Sequence, residues 1–374
     1  MNFLTTVVGS FPRPDYLKKA FMGYLEGITP KSDLDSYITK SIIHIVEKQE
    51  KIDLDIITDG EQGRTSFVNF IGDKIGGIIP THITKLDKNA LSILKQYKTY
   101  IPYIRAVPTS YLSDNVDLTG DEVKRLKRFT NKPIKITLPS PYLLMWETWH
   151  HKKTSPYYNP EELGYKYSKI IRNEIIRLKN NGVNTIQLDE PMLGNLIEAN
   201  GKPDRYRKIF SIINGQKYRG FQNELRVARD MINQTIKGIS GIEMHICHWG
   251  NSNSPNYGSG VERLLPELLN INVDSLVIEY AAPGSGNPIN LLKQYPDDLG
   301  ISLGVIDVRD HKVENPQDII EKIDNIINYV SPNKIKLCPD CGFSPGMTHL
   351  FPNDIAFKKL ESMVKAAKIL RDIY

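Results

Sequence analysis

The sequence predicts an α/β fold, a (β/α)8 or TIM barrel with insertions over its mouth, on three observations. Eight short apolar runs alternate with helical patterns along the chain. Several of the runs are apolar without a break, as strands buried on both faces are. The polar and unusual residues gather just after the runs, where a barrel collects its strand ends into one mouth and an open doubly wound sheet would scatter them.

The runs are 5–8, 54–57, 134–138, 185–188, 242–246, 275–278, 302–306 and 334–337. Between the first two, Leu34, Ile38, Ile42 and Ile45 recur at spacings of three and four and make one apolar helix face. Asn159, Pro160 and Glu162 read as an N-cap, a first-turn proline and a capping glutamate, and that helix stops at Asn181-Gly182. Asn315-Pro316 opens another helix, with Ile319, Ile320, Ile323 and Ile326 facing inward. The last helix spans about 352–373. The whole chain, 1–374, reads as one catalytic barrel, with stretches around 81–118 and 195–221 as insertions.

Composition narrows the class. Lys and Arg exceed Asp and Glu by 5 over 374 residues, too weak a bias for a nucleic-acid or membrane-surface protein. Three cysteines build no disulfide framework and suit a reducing compartment. The first residues lack the pattern of a secretory signal, and no apolar stretch approaches the roughly 20 residues that span a bilayer. A globular cytoplasmic protein is expected.

His245 and Cys247 stand two apart at the end of the fifth run, so strand alternation points both side chains the same way. Glu279 ends the sixth run and Cys341 follows the eighth. Two thiolates, an imidazole and a carboxylate suit tetrahedral Zn2+, and soft sulfur disfavours Mg2+ or Ca2+. Alone, a His-x-Cys pair is usually structural. Cys338-Pro339-Asp340-Cys341 also offers a redox pair, or a buried small hydrophobe at Cys338.

Asp59, Glu61, Asp189 and Glu190 crowd two strand ends, where carboxylates hold an ammonium, act as acid and base, or pair with Arg64 or Arg105 and cap helices. Gly9-Ser10 offers backbone N–H groups in a tight turn, suited to a carboxylate. Together these features describe a pocket for a zwitterionic amino acid bearing a thiol.

In this order, the residues resemble the catalytic C-terminal barrel of cobalamin-independent methionine synthase. The matching segments are Val8-Gly9-Ser10-Phe11-Pro12, Asp59-Gly60-Glu61-Gln62-Gly63-Arg64, Arg105-Ala106-Val107-Pro108, Leu188-Asp189-Glu190-Pro191, His245-Ile246-Cys247, Gly304-Val305-Ile306-Asp307 and Pro339-Asp340-Cys341-Gly342. The resemblance implies a (β/α)8 barrel that transfers a methyl group to the thiol of homocysteine, with zinc on His245, Cys247, Glu279 and Cys341. It implies that Gly9-Ser10 holds the homocysteine carboxylate and that Glu61 and Asp189 hold its ammonium, with Arg105 in the same substrate set.

Three departures from the family stand out. The sequence reads as starting almost at the catalytic barrel, so the front barrel that helps bind polyglutamylated folate in the family's full-length form is expected to be missing. Where the family often has Asp-x-His, a proton shuttle, this chain has Asp307-Val308-Arg309, so Asp307 is the catalytic candidate and His311 either substitutes for the shuttle or is a surface histidine. After Glu279 the family's Thr-Ser-Arg is replaced by Tyr280-Ala281-Ala282. The methyl donor is accordingly read as a methylcorrinoid protein or a methyltetrahydrofolate-type pterin, with Trp146 or Trp249 as stacking platforms or as packing, and the basic stretch 124–128 as a solvated face. A zinc alkyltransferase for another thiol, coenzyme M, is the alternative. A zinc hydrolase and a zinc-stabilised scaffold are the readings from other classes.

Overall fold

The structure is a computed structural model that describes residues 1–82, 104–152, 156–197, 207–208, 211, 214–247, 261–282, 285, 288–344 and 351–374. Seven strands form one parallel sheet: β1 (Leu4–Thr5), β4 (Lys135–Pro139), β5 (Thr185–Asp189), β6 (Ile242–Ile246), β7 (Ser275–Glu279), β8 (Gly300–Ile306) and β9 (Ile335–Pro339). Their order is β1-β9-β8-β7-β6-β5-β4, so each stave lies beside its neighbour in sequence and β1 returns to β9. The run at 54–57 forms no full strand, yet it joins the two free edges. Ile56 N donates to Thr5 O at 3.1 Å, Ile57 N to Pro133 O at 2.9 Å, and Lys135 N to Ile57 O at 2.9 Å. Ile57 and Ile134 make a parallel bridge. The sheet therefore closes into a barrel with this short segment in the eighth place. β2 (Ile78–His82) and β3 (Ile104–Pro108) pair antiparallel outside that sheet. β3 falls within the stretch 81–118 expected to be an insertion, while β2 begins before it; 83–103 lies outside the described residues, as does part of the second expected insertion, 195–221.

The helices cover the barrel as their apolar stripes require. In α2 (Lys31–Lys51) the residues Leu34, Ile38, Ile42 and Ile45 are all buried, each contributing about 1.5–3 kcal/mol by leaving water. α5 (Pro160–Asn180) starts with the Asn159 side chain accepting from Glu162 N at 2.8 Å. The Glu162 carboxylate reaches one residue further back than a capping box requires, to Tyr158 N at 2.8 Å. The helix stops where Gly182 takes a φ of +68°, which a side chain would resist. α9 (Pro316–Asp324) is capped by Asn315, and α10 (Asn353–Ile373) follows Pro352. No described helix is long and apolar enough to cross a membrane.

Register decides what meets at the mouth. Asp189 is level with His245, and Glu279 is level with Gly304. Between β8 and β9 the pairing slips at Gly304/Ile306. There the β9 end presses on Gly304, where a Cβ would stand 2.4 Å from Asp340 Oδ1 and 2.7 Å from its Cα. Only glycine fits that approach. At the other end, the barrel interior holds Lys135, whose Nζ donates to Gln187 Oε1 at 2.9 Å and lies 3.6 Å from Glu243 Oε2. Lys336 also pairs with Glu243.

Candidate active site

His245 is the penultimate residue of β6, Cys247 lies one residue past that strand, and Cys341 lies two past β9. One ligand atom from each falls within 4.8 Å of the others, and all three residues are buried. The Cys341 and Cys247 sulfurs are 3.6 Å apart, with no disulfide between them. Tetrahedral zinc with Zn–S bonds near ~2.3 Å sets its sulfurs roughly 3.8 Å apart, so the spacing fits. Among the described residues neither buried ring nitrogen of His245 makes a well-formed hydrogen bond, and the group close enough to act on the ring most strongly is the Cys341 thiol. An imidazole beside two thiols is a donor set without an acceptor, which a metal ion would supply. The Cys247 thiol, with His245 adding to it against burial, pulls the Cys341 thiol from its ordinary 9 down to about 5. Burial opposes a charged His245, but Cys341, Asp189 and Glu279 outweigh it and raise its pKa.

Glu279, the last residue of β7 and the expected fourth ligand, is not in the group whose ligand atoms lie within 4.8 Å of one another. Its Oε1 accepts from Arg309 Nη1 at 3.0 Å, and its charge still acts on both His245 and Cys341. Cys338 goes elsewhere: it packs with Val8 and Val277, and burial pushes its thiol well up. Cys341 thus meets Cys247 and leaves Cys338 as a small hydrophobe, against the redox alternative.

Gly9 and Ser10 lie against the same wall. A Cβ on Gly9 would stand 2.6 Å from Glu61 Oε1, so the missing side chain is what lets Glu61 in. Ser10 O accepts from Phe343 N at 2.9 Å and Ser10 Oγ from Ser344 N at 3.3 Å, which ties the turn to the loop carrying Cys341. Glu61 itself sits at a φ of 54°, a strained conformation of the kind that persists at functional sites. Its Oε1 accepts from Thr137 Oγ1 at 2.8 Å and lies 3.6 Å from Arg64 Nη1. Arg64 is committed to Glu122 through two bonds of 2.7 Å. Arg13, fully buried, donates to the Glu61 and Arg64 carbonyls at 2.8 Å each.

Asp189 accepts from Gln187 Nε2 at 2.6 Å. Burial raises the Asp59, Asp189 and Glu190 carboxyls to about 7 each. One oxygen each of Asp59, Glu61 and Glu190 is buried with no hydrogen-bond partner among the described residues. Arg64 acts on Asp59 and Asp189 and Arg207 on Glu190, yet burial outweighs them; the unpartnered oxygens leave acceptors that an ammonium could fill.

Other expected residues fall differently. Asp307 Oδ1 accepts from both Arg309 N and Arg309 Nε at 2.9 Å, so it faces that arginine. His311 is exposed and packs edge-on to Phe351 at 5.0 Å, outside the thiol cluster. Trp146, in α4 (Pro141–Thr148), is fully buried with the Arg207 guanidinium 5.1 Å over its ring, and so takes the packing role here. Arg105 contributes its backbone to β3, while its side chain and all of Trp249 lie outside the described residues. In the basic stretch, Arg125 pairs with Asp35 at 3.3 Å and Lys127 bonds the Asn181 carbonyl. Sequence reasoning missed Arg309 as a site residue. Its signal was visible as a cation in the place of the family's shuttle histidine.

The family described as "Cobalamin-independent synthase, Catalytic domain" matches residues 3–369. The methionine synthase of Sulfurisphaera tokodaii is 27% identical over 379 residues, covering 98% of this chain and 92% of its own length. That of Sulfolobus acidocaldarius is 26% identical over 371 residues, with the same coverage of 98% and 92%. Among solved structures, a B12-independent methionine synthase from Shewanella sp. W3-18-1, in complex with selenomethionine, matches with a TM-score of 0.73. It is 19% identical and covers 100% of this chain and 99% of its own, a likeness of fold.

Proposed function

The chain belongs to the cobalamin-independent synthase catalytic-domain family, and from that premise we propose that it transfers a methyl group to the thiol of homocysteine, giving methionine. His245, Cys247 and Cys341 would hold zinc, with Glu279 completing the site. The observation that carries this reading is the buried thiol–imidazole cluster within 4.8 Å, set beside buried carboxylate oxygens that have no partner among the described residues. A zinc ion bound there supplies Lewis acidity, lowering the pKa of a substrate thiol from about 8.5 so that it reacts as thiolate near neutral pH. The chain's own residues bind and orient. Glu61 and Asp189 receive the ammonium, and the Gly9-Ser10 turn faces the carboxylate. Burial of the wall excludes water and strengthens each of these contacts. The sulfur–methyl bond forms as the donor–methyl bond breaks, and that bond's electron pair stays with the donor.

The carboxylates favour homocysteine over coenzyme M, which has no ammonium for them to hold. For the donor, the burial of Trp146 beneath Arg207 supports a methylcorrinoid protein over a pterin stacked on that ring. Zinc analysis followed by a methyl-transfer assay tests the reading. One zinc per chain is expected, with Cys341→Ser losing both metal and activity and Cys338→Ser keeping both. The reverse pattern overturns the ligand assignment. Turnover with a methylated corrinoid protein should exceed turnover with methyltetrahydrofolate triglutamate, and efficient saturable use of the triglutamate would sink the donor assignment.

A further inference from the structure

Arg309 gathers three carboxylates from three strand ends. Its Nη1 donates to Glu279 Oε1 at 3.0 Å, its Nε to Asp307 Oδ1 at 2.9 Å, and its Nη2 to Asp340 Oδ2 at 2.7 Å. Its backbone N–H also donates to Asp307 Oδ1 at 2.9 Å. Glu279 ends β7, Asp307 follows β8 and Asp340 follows β9, so the guanidinium staples three adjacent staves at the mouth. Asp340 is anchored from the other side by the N–H groups of Tyr280, Ala281 and Ala282, each at 2.8 Å. Those three N–H groups belong to the segment immediately after Glu279, and Asp340 immediately precedes Cys341. The network therefore ties the residue beside the thiol cluster to the loop that carries one of its thiols. Only a planar fork with several donors can do this; an ammonium or an imidazole would reach fewer of the partners.

We infer that Arg309 is the positioning residue of the metal centre: it sets where the Glu279 carboxylate stands relative to the thiol–imidazole cluster, with its own guanidinium fixed by Asp307 and Asp340. This rests on the zinc reading above. Asp307 then serves to orient Arg309, and the position that carries a shuttle histidine in the family carries a structural cation here. An outer partner of this kind sets the orientation and donor strength of the ligand it grips, and its loss weakens metal binding roughly ten- to hundredfold.

The test uses the full chain loaded with zinc, and the same chain loaded with Co2+ for its d–d absorption. Zinc affinity is read by competition with a chromophoric chelator. Arg309→Gln is expected to lower zinc affinity roughly ten- to hundredfold and to shift the Co2+ bands, and Arg309→Lys to restore part of both. In a Glu279→Gln background, Arg309→Gln should change neither further, because its effect runs through Glu279. An equal loss in both backgrounds, or wild-type affinity and an unchanged Co2+ spectrum in folded Arg309→Gln, overturns the inference while leaving the zinc reading intact. A wild-type chain that holds no zinc overturns the zinc reading and this inference with it. Should Arg309→Gln fail to fold, Arg309→Lys carries the same comparison, since an ammonium cannot span the three carboxylates.

Discussion

At the N-terminal end of the barrel Glu243 is buried with Lys135 and Lys336 beside it, whereas at the mouth Asp59, Asp189 and Glu190 are buried where Arg64, His245 and Arg207 act on them without outweighing burial. The residue types and their burial are alike at the two ends. Their pKa values shift in opposite directions. Burial pushes Glu243 up, but its two lysines outweigh that and its pKa falls below the usual carboxylate value. At the mouth burial prevails, and the three carboxyls rise to about 7. The strength of the neighbouring charge, not the depth, separates the lowered carboxylate of the lower layer from the raised ones at the mouth.

The strongest way to break this comparison is at Glu243. Glu243→Ala leaves Lys135 buried without its counter-charge and should destabilise the fold by about 3–5 kcal/mol. Urea unfolding measures it, and a loss under about 1 kcal/mol would show that the lower layer is not a structural pair. Homocysteine affinity should not change.

Asp189→Asn should do the reverse. The variant keeps its stability, and homocysteine binding weakens about ten- to hundredfold, the worth of a charge-assisted bond of roughly 1.5–3 kcal/mol. Binding of a thiol that lacks the amino group should be the same in both proteins. If it falls equally, the ammonium role of Asp189 is wrong.

The two ends should also answer pH in opposite senses, measured as unfolding free energy of the metal-free chain between pH 4 and 8. The mouth carboxyls are raised from about 4 to about 7, so the folded state holds protons that the unfolded chain has released. Their contribution is greatest below pH 4 and is lost as pH rises through 7, by at most about 1.4 kcal/mol per pH unit for each group. Glu243 is lowered, so its contribution is present above the unfolded value and is lost as pH falls through its folded one. Asp189→Asn with Glu190→Gln should flatten the fall toward pH 7; an unchanged slope would place the responsible groups elsewhere.

The smallest effect is expected at the basic stretch. Arg125 pairs with Asp35 at a partly exposed site, and Arg125→Ala should cost no more than about 1 kcal/mol in thermal unfolding while leaving methyl transfer untouched. A specific rise in the KM for the methyl donor would instead assign this face to the donor.

Much of this was legible in the chain because it depends on local rules. The capping of the α5 helix by Asn159, its stop at Gly182 and the inward row Leu34, Ile38, Ile42 and Ile45 follow from backbone chemistry within a few residues. His245 and Cys247 were readable as a pair because strand alternation sets i and i+2 on one side. Arg309 was not readable as a staple, since nothing near it in sequence announces Glu279, 30 residues away, or Asp340, 31 residues away. The segment at 54–57 read as a strand, but it supplies only the bridging hydrogen bonds that close the ring.

Period, caps and the apolar runs thus determined an eight-stave parallel barrel from the sequence alone, because each depends on how a residue directs its own neighbours. Which residues share the mouth was decided only in three dimensions. Cys341 rather than Cys338 joins Cys247 across 94 residues, Glu279 turns to Arg309, and Trp146 disappears beneath Arg207. The register slip beside Gly304 goes with the close approach of Asp340 to that glycine. A side chain's direction belongs to its own element, but its partners depend on the register and packing of all the others.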